Sequence, residues 1–305
     1  MSKTTDSAEG KRAAPAVLGV YEKGMPGTLS IEEKLVEAGR AGFDYVELSI
    51  DETDEKLGRL DWRAEDIQAL LESQWRTGVP VRSMCLSGHR RFPLGHPDVS
   101  IQKRSLEIMR GAIRLSARLG IRVIQIAGYD VYYEPSTDQT RQTFARNLSL
   151  SVEMAAREGV ILAFETMETE FLNTVRKALS WVERIDSPYL QIYPDLGNIT
   201  NSALSYGTDV LADLASGRGH LAALHLKESK PGVFREVPYG EGHVNFSSAI
   251  AMALRLGVRM FVGEFWDDGQ EDWRGVMKRN NEFLRSSLEC GAALASRDGG
   301  TNDDL

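Results

Sequence analysis

The chain is poor in cysteine and histidine and has no excess of positive charge. Its 305 residues include only two cysteines, Cys85 and Cys290. Two cannot build a disulfide framework, and such usage fits a reducing, cytoplasmic setting. Lysine and arginine total 36 against 44 acidic residues, a net charge of −8, so the overall basic field of a nucleic-acid binder is missing. No apolar run reaches the roughly 18 residues that cross a bilayer. Met1–Pro15 is polar and carries no apolar signal core. The GxGxxG spacing that marks a dinucleotide site is absent after the first apolar run.

What is present is a strict alternation of short apolar, β-branched runs with longer amphipathic segments. The runs are Val17–Tyr21, Tyr45–Ser49, Val81–Leu86, Val123–Ala127, Val160–Phe164, Leu190–Tyr193, Leu221–Leu224 and Met260–Gly263. Ser30 and Glu33 have capping-box spacing, and Asp61 is expected to cap the helix that carries Ile67, Leu70 and Leu71. Runs that are apolar on both faces suit a parallel sheet covered by helices. Eight such units close most economically into a (β/α)₈ TIM barrel, with a doubly wound open sheet as the alternative. A single barrel domain is expected over 16–290, between disordered tails at 1–15 and 291–305. Trp62, Trp75, Trp181 and Trp273 are read as packing residues and Cys85 as core.

Barrel chemistry sits at the C-terminal ends of the strands. The fifth to eighth runs lead directly into Glu165, Asp195, His225 and Glu264. One polar residue in such a place is often only a loop anchor or a helix cap. Four on consecutive strands, all with ligand chemistry, point instead to one divalent cation, with Mn²⁺, Zn²⁺, Co²⁺ and Mg²⁺ all suited to an oxygen-rich set. Without a cation the three carboxylates would repel one another.

Several strings then make a resemblance specific. Gly19–Lys23, Asp51–Glu55, Leu86–Gly95, Ala127–Tyr133, Tyr193–Asn198 and Lys230–Phe234 are similar to motifs of the L-ribulose-5-phosphate 3-epimerases, also called L-xylulose-5-phosphate 3-epimerases, within the xylose-isomerase-like TIM barrels. The likeness runs from about Leu18 to Trp266. It implies that Glu165, Asp195, His225 and Glu264 hold the metal and that Glu165 and Glu264 form the acid–base pair. It also implies a pentulose 5-phosphate as the small-molecule partner, a cytoplasmic enzyme and a possible homodimer, with neither nucleic acid nor membrane involved. The chain departs from the family pattern at Glu228, where Asp is more usual, and at His243 and Asn245, although Asn245 can still cap a helix.

The chemistry such an enzyme needs agrees with these groups. The C3 proton of a 2-ketose is acidic because it lies alpha to a carbonyl. Its removal gives an enediolate, and reprotonation from the other face inverts C3. Two glutamates from different strands can serve the two faces while a cation polarises the oxygens. Candidates for binding the rest of the substrate, the phosphate above all, are Lys23, His89, Arg90, Arg91, Asn198, Lys227, Lys230, Arg235 and Trp266. Tyr129, Tyr132 and Tyr133 either wall the site or pack. The competing readings are a ketose–aldose isomerase or a 3-epimerase of non-phosphorylated ketoses on the same barrel. A multi-zinc DNA-repair nuclease would need more than the five histidines present. A barrel that only binds would not need four intact ligands.

Overall fold

The computed structural model describes residues 15–298. Eight parallel strands form the sheet: β1 Val17–Tyr21, β2 Tyr45–Ile50, β3 Val81–Leu86, β4 Val123–Ala127, β5 Ile161–Glu165, β6 Leu190–Tyr193, β7 Leu224–Leu226 and β8 Met260–Gly263. Their order is β6-β5-β4-β3-β2-β1-β8-β7. The seam between β6 and β7 is closed by two isolated parallel bridges, Ile192–Leu221 and Asp195–His225. The expected TIM barrel is therefore present.

Among the described residues ten α-helices surround it: α1 Ile31–Arg40, α2 Asp54–Gly58, α3 Ala64–Thr77, α4 Val99–Leu119, α5 Asp138–Glu158, α6 Val175–Ile185, α7 Leu196–Tyr206, α8 Val210–Ser216, α9 Phe246–Arg255 and α10 Trp273–Asp298. The Ser30/Glu33 capping box forms at the start of α1, and the Asn245 side chain caps α9. Asp61 does not cap α3. It is consumed in a 3₁₀ turn, Arg59–Asp61, and the helix starts after Arg63, whose backbone N–H donates to Asp66.

Two boundaries differ from the sequence expectation. The β7 ladder spans Leu224–Leu226, so His225 lies inside the strand rather than after it. Helix α10 continues through 291–298, past the expected domain edge at 290. A Cβ on Gly291 would already meet the side chain of Ile250 in α9. Residues 1–14 and 299–305, which include most of the expected N-terminal tail and the end of the C-terminal one, lie outside the described residues.

Side chains alternate across each strand. Val46, Leu48, Ile124, Ile126, Leu162, Phe164, Leu224 and Leu226 point outward into the main core beneath the helices. The partners in alternation point inward, where Tyr45, Cys85, Val123, Ala163, Tyr193, Ala223 and Val262 form a second, smaller cluster. By the same register Glu47, Gln125, Glu165, His225 and Lys227 are inward residues, and all are buried. Trp75, expected to pack, is 86% exposed on α3.

Candidate metal centre

Glu165 closes β5, Asp195 caps α7, His225 sits in β7 and Glu264 follows β8. One ligand atom from each lies within 4.8 Å of all the others, and all four residues are buried. His225 Nδ1 stands 3.1 Å from Glu264 Oε2 and 3.5 Å from Glu165 Oε1. Three buried atoms here make no hydrogen bond: Asp195 Oδ2, His225 Nδ1 and Glu264 Oε2. Buried polar atoms are seldom left so, and three orphans converging from separate strands fit a cation well.

The supporting contacts keep those atoms free. His225 Nε2 is 2.6 Å from Glu47 Oε1, a contact that holds the ring and turns Nδ1 toward the centre. Glu47 is fully buried, and its other oxygen accepts from Ser83 Oγ at 2.7 Å and from the Tyr193 hydroxyl at 3.0 Å. Asp195 spends Oδ1 on the Asn198 N–H at 2.7 Å, so that Oδ2 alone faces inward. The Gln125 amide donates to Glu165 Oε2. The Tyr239 hydroxyl donates to the Leu226 carbonyl and ties the end of β7 to its following loop.

Lys227 adds a buried positive charge. Its Nζ lies 3.0 Å from Asp195 Oδ1, 3.7 Å from Glu264 Oε2 and 3.0 Å from Asn198 Oδ1. In the metal-free protein, burial pushes the Asp195 carboxyl up to about 8, although Lys227 opposes the rise. Burial and then the charge of Glu264 push Glu165 up. Burial acts the same way on Glu264, but Lys227 and His225 outweigh it and hold that carboxyl below its usual range. A dication among these groups would remove the cost of gathering three carboxylates away from water.

The barrel that carries these residues is also found in known proteins. The family model described as "Xylose isomerase-like TIM barrel" matches residues 35–287. The L-ribulose-5-phosphate 3-epimerase UlaE of Escherichia coli O157:H7 is 43% identical over 272 residues, covering 89% of this chain and 94% of that protein. The enzyme of the same name from Shigella sonnei is 46% identical with the same coverage. The chain belongs to the L-ribulose-5-phosphate 3-epimerase family of xylose isomerase-like TIM barrels. Among solved structures, an L-ribulose 3-epimerase aligns with a TM-score of 0.76 at 18% identity, over 95% of this chain and 99% of that one. A D-allulose 3-epimerase from Methylomonas sp. aligns with a TM-score of 0.73 at 17% identity, over 90% and 98%. These two likenesses speak for the barrel.

The residues expected to bind substrate in this epimerase-family chain divide sharply. Lys227 and Trp266 line a cleft of about 490 Å³ together with Glu264. Trp266 also sets its ring edge-on to Tyr21 at 6.5 Å. Asn198 is buried and serves Asp195 and Lys227, as described. His89 turns away from the mouth: its Nε2 meets the Ser105 carbonyl of α4 at 3.1 Å. Burial lowers its pKa to about 4, so it is neutral and structural. Lys23 pairs with Asp51 at 2.5 Å, Arg91 with Asp54 at 2.8 Å, Lys230 with Glu241 at 3.8 Å and Arg235 with Glu168 at 3.3 Å. Arg90 meets no carboxylate within 4.0 Å among the described residues, although Glu52 and Glu168 act on it from farther off; it lies over the Tyr132 ring, 4.6 Å from the centroid.

Sequence reasoning missed Glu47 and Gln125, which sit within apolar runs. The signal was their inward phase, two residues from other inward positions on the same strands. The two departures from the family pattern also have a structural account. Glu228 accepts from the backbone N–H groups of Ser229, Gly240 and Val244, each at 3.1 Å, and so shapes the loop after β7. A Cβ on Gly242 would lie 2.2 Å from both that carboxylate and the Ser229 carbonyl, so the loop demands glycine there. His243 Nε2 meets Ser229 Oγ at 3.0 Å in the same loop.

Proposed function

We propose that the chain interconverts L-ribulose 5-phosphate and L-xylulose 5-phosphate by inverting C3, with Glu165 and Glu264 carrying the proton. Glu165, Asp195, His225 and Glu264 would hold one Mn²⁺, Zn²⁺, Co²⁺ or Mg²⁺ ion. The single observation that carries this reading is the convergence of the two glutamates. They come from β5 and from the end of β8, yet both reach the same His225 nitrogen in a buried pocket. The identity of 43–46% over nearly the full length of the named epimerases supports the substrate.

A bound dication would supply Lewis acidity toward the ketose oxygens and stabilise the negative charge that develops on them. The protein residues do the rest. One glutamate takes the C3 proton, and the other returns a proton from the opposite side. Gln125 fixes the orientation of Glu165, while Lys227 keeps a positive charge beside Glu264. Trp266, braced edge-on by Tyr21, walls the pocket and limits the entry of water.

The test is incubation with L-ribulose 5-phosphate in D₂O, followed by NMR. L-xylulose 5-phosphate should form with deuterium at C3. Exclusive formation of an aldose would instead establish a ketose–aldose isomerase. Turnover of free ketoses alone would establish the non-phosphorylated 3-epimerase reading.

A further inference from the structure

We infer that Lys227 donates a hydrogen bond to the ketose oxygen that becomes negative in the enediolate, and so acts as a third catalytic residue beside Glu165 and Glu264. This rests on the epimerase reading for the identity of the substrate.

Lys227 lies two residues beyond His225 and keeps the same inward face. It is 5% exposed and lines the cleft together with Glu264 and Trp266. An ammonium has three N–H donors. Asp195 Oδ1 and Asn198 Oδ1, each at 3.0 Å, take two of them. Glu264 Oε2, at 3.7 Å, is beyond hydrogen-bond reach. Among the described residues the third N–H therefore has no acceptor. A buried donor normally finds one, and a sugar oxygen seated beside Glu264 would supply it.

The place of this charge has a cost. An ammonium beside two of the four candidate ligands repels a dication held by them. The reaction gives the charge a use. When a glutamate takes the C3 proton, the C3–H electron pair forms the C2–C3 double bond, and the carbonyl π pair moves onto O2. That oxygen is then anionic. An N–H already aimed at it binds more strongly as the charge grows, which is where a donor accelerates the step.

The lysine is set in advance by the first turn of α7. The Asn198 amide nitrogen donates to the Thr166 carbonyl at 2.7 Å, which turns its Oδ1 toward Lys227. Gly197 supplies an independent observation. A Cβ there would lie 3.1 Å from the Lys227 carbonyl and 3.2 Å from Lys227 Cε. The glycine thus leaves the room that the lysine stem occupies.

The test compares wild type with Lys227→Met in the full chain. Mn²⁺ affinity, titrated calorimetrically, should stay the same or rise, because a repelling charge is gone. With the metal bound, kcat for L-ribulose 5-phosphate should fall about 10²–10³-fold, the loss typical of one such donor. The second readout is binding of glycolohydroxamate, a planar anion shaped like the enediolate, to the loaded protein. Its affinity should fall about 10- to 100-fold. Binding needs no proton carrier, so this loss does not come through Glu264. An unchanged kcat, or hydroxamate held as tightly as by wild type, would overturn the assignment. So would Mn²⁺ binding weakened by the factor lost in kcat, since the lysine would then only build the metal site. If Lys227→Met does not fold, Gly197→Ala takes its place. It keeps the charge but displaces the stem, so kcat and hydroxamate affinity should fall together by about 10-fold. No change in either would overturn the assignment equally. Failure of the epimerase reading looks different: wild type would place no deuterium at C3 of L-ribulose 5-phosphate, while hydroxamate binding still depended on Lys227.

Discussion

His225 and Glu47 are bound to each other by a 2.6 Å contact at a place that water does not reach. The carboxylate holds the ring in place, so Nδ1 is aimed at the centre before any ion arrives. Glu47→Gln keeps the shape but removes the charge. It should weaken metal affinity about 10- to 100-fold, read by titration with Mn²⁺ or Zn²⁺. Affinity equal to wild type would show that Glu47 is only a packing residue.

Chelation should abolish turnover, and added Mn²⁺, Zn²⁺ or Co²⁺ should restore it. The three orphaned ligand atoms motivate this expectation. Full activity after exhaustive EDTA treatment, with metal content checked by elemental analysis, would remove the cation from the mechanism.

Glu165→Gln and Glu264→Gln should each reduce the rate by at least 10²–10⁴-fold, the general acid–base share alone. Solvent deuterium uptake at C3 should fall with it. Near-normal uptake in either variant would exclude that glutamate as an essential proton carrier.

His89 gives the stability a pH dependence unrelated to catalysis. Burial holds its folded pKa at about 4, against an unfolded value near 6.5. The unfolded chain therefore binds the proton more readily between these values. This residue's contribution is complete above pH 6.5 and is lost as the pH falls toward 4, a loss of order 3 kcal/mol. His89→Gln should show a shallower fall in Tm between pH 7 and pH 4. A wild-type slope in the variant would assign the effect to other groups.

Glu22 is a buried anion with three cations around it: Lys34 at 3.2 Å, Lys56 at 2.8 Å and Arg59 at 2.6 Å. Burial alone would raise its pKa, but Arg59 and then the two lysines hold it far below the usual carboxylate range. Glu22→Gln would leave those cations without an anion and should cost about 3–5 kcal/mol. Chemical denaturation measures this directly, and a loss below 1 kcal/mol would mean that solvent already screens the cluster.

The barrel and the convergence of four candidate ligands were legible in the sequence because both are local patterns. An apolar run ending in Glu or Asp marks a strand and its mouth together. Glu47 and Gln125 escaped notice because a polar residue inside a buried strand reads as noise until the register is known. The extent of β7 was misjudged for a related reason: Leu221 is apolar, but only an isolated bridge holds it to the sheet. The basic loop residues were beyond local reading altogether. Whether Arg91, Arg235 or Arg90 carries a free charge depends on Asp54 and Glu168, which arrive from other loops.

The seam between β6 and β7 gives the centre a second meaning. The sheet closes there by two bridges, and one of them joins Asp195 to His225. An ion held by both would rivet the barrel at its thinnest join. Loading the enzyme and fastening its last stave are then one event, and a chain stripped of its ion should breathe first along that line.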